Sequence, residues 1–141
     1  EKILKQFRED VNFYLSNEKN NLEVFYNCEC LITDWSGAAM EFSLAFKKPS
    51  IFLNTDQRIR NKEIKKGNPI LSETFENICR DKLGIILNAS EYERVVTKLN
   101  DIKNNPNIYL ENIKKFEQEY LFNVDNALEN TVDELARLSD I

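Results

Sequence analysis

The sequence predicts an α/β fold: a Rossmann-like parallel sheet of about three to four strands, flanked by helices and ending in an all-helical C-terminal segment. Short apolar and β-branched runs at Cys30-Leu31-Ile32-Thr33, Ser50-Ile51-Phe52-Leu53 and Gly84-Ile85-Ile86-Leu87 alternate with helical stretches, as βαβ crossovers require. Beyond residue 90 only helical spacing remains. A chain of 141 residues, 42% hydrophobic and 11% aromatic, can bury one sizeable core, so residues 1–141 read as a single domain or domain fragment.

Residues 2–15 place Ile3, Leu4, Phe7, Val11, Tyr14 and Leu15 near the spacing of an amphipathic helix. Ser16 to Asn21 is a polar loop, and Leu22 to Asn27 suits either a short helix or a strand, with the helix favoured. After the first strand, Ser36-Gly37 opens a helix through Phe46 that is apolar on most sides and therefore expected to be buried. Lys47-Lys48 complements its C-terminal dipole and Pro49 stops it before the second strand. Thr55 to Asn68 is a polar, basic connection, and Pro69 opens a helix to about Lys82 ahead of the third strand. Ser90 and Glu93 form a capping box for a helix to about Lys103, Asn104-Asn105-Pro106 breaks it, and helices follow over 107–122 and 124–139.

Composition excludes several functions. A net charge of −5 and a pI near 4.9 argue against a general nucleic-acid binder, which draws its affinity from clustered Lys and Arg. No apolar stretch approaches the roughly 20 residues of a membrane span, and the first residues are not a signal peptide. The three cysteines, Cys28, Cys30 and Cys79, lack zinc or redox spacing and read as reduced packing residues of a cytoplasmic protein. The chain contains no His, which removes the commonest general base and a favoured metal ligand, so neither a metal nor a cofactor is expected. Glu1 stands where an initiator Met would, which leaves room for an upstream domain.

The chemistry concentrates in Asp34-Trp35-Ser36-Gly37-Ala38, where the first strand enters its helix. Ligands of open parallel sheets collect at the carboxyl ends of the strands, beside helix N-termini with unpaired N–H groups. The Ser36, Gly37 and Ala38 amides and the Ser36 hydroxyl can cradle a phosphate there. Glu41, one turn further, can accept hydrogen bonds from vicinal hydroxyls such as those of a ribose. The plainer alternatives are that Asp34 or Ser36 only caps the helix, that Trp35 is packing, and that the basic cluster from Arg58 to Lys66 is a solvated loop. Asp34 at a strand end also suits a receiver-like interaction module, although no acidic pair precedes a matching strand.

Taken together, Leu31-Ile32-Thr33-Asp34-Trp35-Ser36-Gly37, then Glu41, then Lys48-Pro49-Ser50-Ile51-Phe52 resembles the C-terminal donor-binding domain of the CDP-glycerol glycerophosphotransferase family. These are teichoic-acid and capsule polymer transferases of GT-B-like architecture. The resemblance implies that Ser36 and Gly37 contact the donor phosphates, that Glu41 holds the ribose, and that Asp34 orders the turn or touches the donor. Arg58 and Arg60 fall where the family often carries basic residues. It further implies a CDP-glycerol, CDP-sugar or UDP-sugar donor, a polymer or lipid-linked acceptor, an upstream domain, and work at the cytoplasmic face of the membrane. Trp35 and Gly37 depart from the family's Tyr and second Ser, and the family's histidines have no counterpart here.

Overall fold

Three short strands, β1 (Leu31–Thr33), β2 (Ser50–Asn54) and β3 (Gly84–Asn88), form one parallel sheet in the order β1-β2-β3. The computed structural model describes residues 2–16, 22–56 and 74–139. The helices are α1 (Lys2–Phe7), α2 (Leu22–Asn27), α3 (Ala38–Phe46), α4 (Phe75–Leu83), α5 (Val95–Asn104), α6 (Pro106–Tyr120) and α7 (Ala127–Ser139). The protein is thus α/β and mostly helical, with a small parallel sheet flanked by helices.

Strand β2 sits between its neighbours, pairing Ile32 with Ile51 on one side and Ile51 with Ile85 on the other. A central parallel strand must be apolar on both faces, and Ser50, Ile51 and Phe52 are all buried. Ile51 faces a cluster with Leu87 and Ile102 of α5. Alternation turns Ser50 and Phe52 to the opposite face, where the Ser50 hydroxyl meets that of Ser43 on α3 at 3.2 Å. Beyond them, Cys79 and Leu83 of α4 pack with Ile113 and Phe116 of α6, against Met40 and Leu44 of α3. Burying Phe42, Phe52 or Phe116 stabilises the fold by about 1.5–3 kcal/mol each.

The apolar character of α3 has the expected consequence, since Ala39, Phe42 and Ser43 are fully buried. Phe42 and Phe46 meet Phe25 of α2 edge-on at 5.4 and 6.2 Å, so Leu22–Asn27 adopts the helix favoured by its sequence. Lys47 ends α3 in the left-handed conformation, with φ of 56°. Its ammonium pairs with Glu117 of α6 at 2.5 Å, while that of Lys48 bonds the Tyr26 carbonyl. The two lysines therefore do more than face the helix dipole: they tie α3 to α6 and α2.

Gly84 marks the tightest approach in the sheet. A Cβ there would lie 1.9 Å from the Ser50 carbonyl oxygen and 3.0 Å from the Phe52 ring, so β2 and β3 pair in this register only around a glycine.

Several boundaries differ from expectation. The first helix stops at Phe7 rather than continuing to residue 15, because the Asp10 carboxylate accepts the Asn12 N–H at 2.9 Å and turns the chain back, stacking Phe13 on Phe7. The capping box belongs to Asn88 and Glu91, not Ser90 and Glu93, and it opens a 3₁₀ turn over Ala89–Arg94 before α5 begins. Pro106 breaks one helix and opens the next at its first position. The apolar stripes of α1 and α7 bury no residue among those described. The basic connection expected over Thr55 to Asn68 lies, from residue 57 onward, outside the described residues, as does the helix start at Pro69. Among the described residues, no helix is long and apolar enough to cross a membrane.

Candidate functional site

The break after Thr33 arises because β1 runs out of apolar residues at Asp34, and the chain bends before α3 begins at Ala38. The Ser36 carbonyl accepts the Ala39 N–H at 3.2 Å, and the Gly37 carbonyl accepts those of Met40 and Glu41 at 3.0 and 3.3 Å. The Ser36 hydroxyl accepts the Ala38 N–H at 3.3 Å, a long bond that makes Ser36 a local cap. Among the described residues, the N–H groups of Ser36 and Gly37 have no acceptor. The cap and the anion cradle therefore coexist: one amide is satisfied from within and two are open at the positive end of α3.

Gly37 has φ of −59° and ψ of −25°, a conformation any residue adopts, and among the described residues a Cβ there would meet nothing within 4 Å. Neither backbone strain nor packing against the described residues calls for glycine. The free space beside it adjoins the two open amides. Asp34 and Glu41 are exposed, and among the described residues the Glu41 carboxylate has no hydrogen bond or ion pair, which leaves it open to an external donor. Arg58 and Arg60 lie outside the described residues.

The structure adds to this turn a group that the sequence reading did not single out. Arg80 of α4 is buried, 5% exposed, and its guanidinium lies 3.6 Å from the centre of the Trp35 ring and 5.4 Å from that of Phe52. Its two terminal nitrogens reach the Asn54 side-chain oxygen at 3.4 Å, and among the described residues its Nε has no partner. Burial lowers its pKa, and the negative charge of Asp34 acts in the opposite direction. Trp35 is thus packing, as its alternative reading held, but what it packs on is a buried cation. Its indole N–H donates to the Thr55 carbonyl at 2.9 Å, fastening the turn after β1 to the end of β2.

From Asn54 a polar chain crosses the carboxyl edge of the sheet. The Asn54 amide donates to Asn88 at 2.9 Å, and the Asn88 amide donates to Glu91 at 3.1 Å. Glu91 also accepts the Asn88 backbone N–H and a bond from Arg94, and these hold its carboxyl below the usual range. Asn54 and Asn88 occupy the same register position at the ends of β2 and β3. A signal for both was present in the matching endings Ile-Phe-Leu-Asn and Ile-Ile-Leu-Asn, where two apolar strands reach the ligand-bearing edge with the same polar residue. Arg80 had a fainter one, a cation next to Cys79 in a helix whose other buried residues are apolar.

The three cysteines are free. Burial pushes the Cys30 and Cys79 thiols up to about 11, in keeping with packing rather than reactivity. Among the described residues, no cluster of three His, Cys, Asp or Glu is placed to hold a metal ion.

The fold and site define a small α/β unit whose polar residues gather at the carboxyl ends of three parallel strands. Comparison with known proteins finds no matching family model, no similar curated protein and no similar solved structure.

Proposed function

We propose that this chain is the donor-binding part of a GT-B-like transferase that moves glycerophosphate or a sugar from a CDP- or UDP-activated donor to a cell-surface polymer, teichoic acid or capsule. The observation that carries the proposal is the pair of acceptor-free amides at Ser36 and Gly37, which open onto free space at the positive end of α3. The order of motifs around them, with Glu41 one turn on and Lys48-Pro49 leading to the next strand, supports a nucleotide donor over other anions.

In this reading the donor phosphates take the Ser36 and Gly37 N–H groups, and Glu41 accepts from the ribose hydroxyls. Asp34 orders the turn. An acceptor hydroxyl on a polymer or lipid-linked substrate attacks phosphorus, releasing CMP, or the anomeric carbon, releasing the nucleoside diphosphate. The α3 N-terminus stabilises the charge that develops on the departing phosphates. With no His in the chain, the base comes from an upstream domain facing this one across a cleft. The enzyme then works on the cytoplasmic side, at the inner face of the membrane.

Calorimetric titration of the chain with CDP-glycerol, CMP, UDP and UDP-sugars tests the proposal. Binding of at least one of them, weakened by about 1–3 kcal/mol in Ser36→Ala and in Glu41→Ala, is the expected result. Unchanged affinity in both variants would remove the Ser36 hydroxyl and the Glu41 carboxylate from the site.

A further inference from the structure

We propose that Arg80 is the anion-binding side chain of this site, its guanidinium receiving a phosphoryl oxygen of the molecule whose phosphate sits at Ser36 and Gly37. The inference rests on the reading of that turn as phosphate-binding and identifies the cation that completes it.

The argument begins with the donors. An arginine presents five N–H groups and is almost never buried without a partner. Arg80 is 5% exposed, yet its contacts account for little of that capacity. Two terminal nitrogens share one neutral oxygen at 3.4 Å, the long end of the hydrogen-bond range, and Nε is buried with no acceptor among the described residues. Among the described residues, no carboxylate lies within ion-pair distance of it. Among them, only the Asp34 carboxylate, beyond ion-pair distance, offsets its charge, and a cation removed from water without a paired anion is unfavourable.

Position then selects the anion. The guanidinium is held face-on against Trp35 at 3.6 Å, and Trp35 is joined directly to Ser36. The stack and the indole bond to Thr55 hold Arg80 beside the turn that carries the two acceptor-free amides. Fixed N–H donors on the turn, and a planar fork of N–H groups packed on the residue before them, match the several oxygens of a phosphate better than the two of a carboxylate. Asn54, itself held by Asn88, keeps the plane of the fork when a ligand replaces the long contacts. A role confined to holding Trp35 would need the ring stack alone, and it would leave the unpartnered Nε without an explanation.

The test titrates the full chain with cytidine, CDP and inorganic pyrophosphate, for the wild type, Arg80→Gln and Arg80→Lys, with thermal unfolding of each variant. The expected result is that Arg80→Gln weakens CDP and pyrophosphate binding at least tenfold and leaves cytidine unchanged, while Arg80→Lys restores part of the loss. A folded Arg80→Gln that binds CDP and pyrophosphate as the wild type does overturns the inference and leaves the nucleotide reading standing. Arg80-dependent pyrophosphate binding with CDP bound no more tightly sustains the inference and defeats the nucleotide reading. Absence of binding by every probe to the wild type defeats both. If the variants do not fold, the Arg80 Nε–H resonance of the wild type decides: a shift on adding pyrophosphate supports the inference, and a stationary signal while the Ser36 and Gly37 amides shift overturns it.

Discussion

The Arg80 guanidinium lies 3.6 Å from the centre of the Trp35 ring, joining helix α4 to the turn that follows β1. Trp35 is the only tryptophan of the chain, so its environment can be read without interference. Trp35→Phe keeps an aromatic face for Arg80 but loses the 2.9 Å bond to Thr55. Together with the weaker cation–π attraction, this costs about 1–2 kcal/mol of stability by urea denaturation. Trp35→Ala removes both contacts and costs about 3 kcal/mol.

Gly84→Ala tests the close pairing of β2 and β3. The added methyl would meet the Ser50 carbonyl oxygen at 1.9 Å, a backbone atom that cannot swing aside as a side chain can. The strands must separate, and the variant loses about 3 kcal/mol or more. Wild-type stability in Gly84→Ala would contradict the register.

Gly37→Ala is the opposite case. The new methyl enters open space and the backbone is already helical, so stability stays within about 1 kcal/mol of the wild type. If donor phosphates occupy that space, nucleotide affinity falls in the same variant. Stability and affinity measured side by side separate a ligand requirement from a folding one.

The thiols predict an alkaline dependence. Cys79 is fully buried, and both it and Cys30 are raised by burial from the ordinary value of 9.0 to about 11. Raised values mean that the folded state holds these protons more tightly than the unfolded state. The resulting stabilisation is complete below about pH 9 and is lost as pH rises from there through about 11. Urea midpoints measured from pH 8 to 11 should fall, with a shallower fall in Cys79→Ala. In a thiol-labelling experiment at pH 8, Cys79 reacts only after unfolding.

The three strands were legible because each is a short apolar run between helical spacings, although only β2 is buried on both faces and Ile32 of β1 and Ile86 of β3 are exposed. The C-terminal helices followed from their period, but α7 shows its limit: Leu128, Val132 and Leu135 form a stripe whose residues are nonetheless exposed, because spacing does not say what a face packs on. The early end of α1 was hidden in one side-chain bond, from Asp10 to Asn12, that competes with the helix. In the site, Ser36, Gly37 and Glu41 could be named because they are consecutive or one turn apart. Arg80 could not, since it meets Asn54 across 26 positions and only the packing of α4 on β2 brings them together.

Chemical-shift mapping of the wild-type chain with CDP-glycerol tests the central claim most directly. Nucleotide binding at the β1–α3 turn predicts that the largest changes fall on the Ser36 and Gly37 amides, with Glu41 and the Trp35 indole N–H next. A ligand that binds but moves residues remote from this turn, or leaves the whole spectrum unchanged at millimolar concentration, would contradict it.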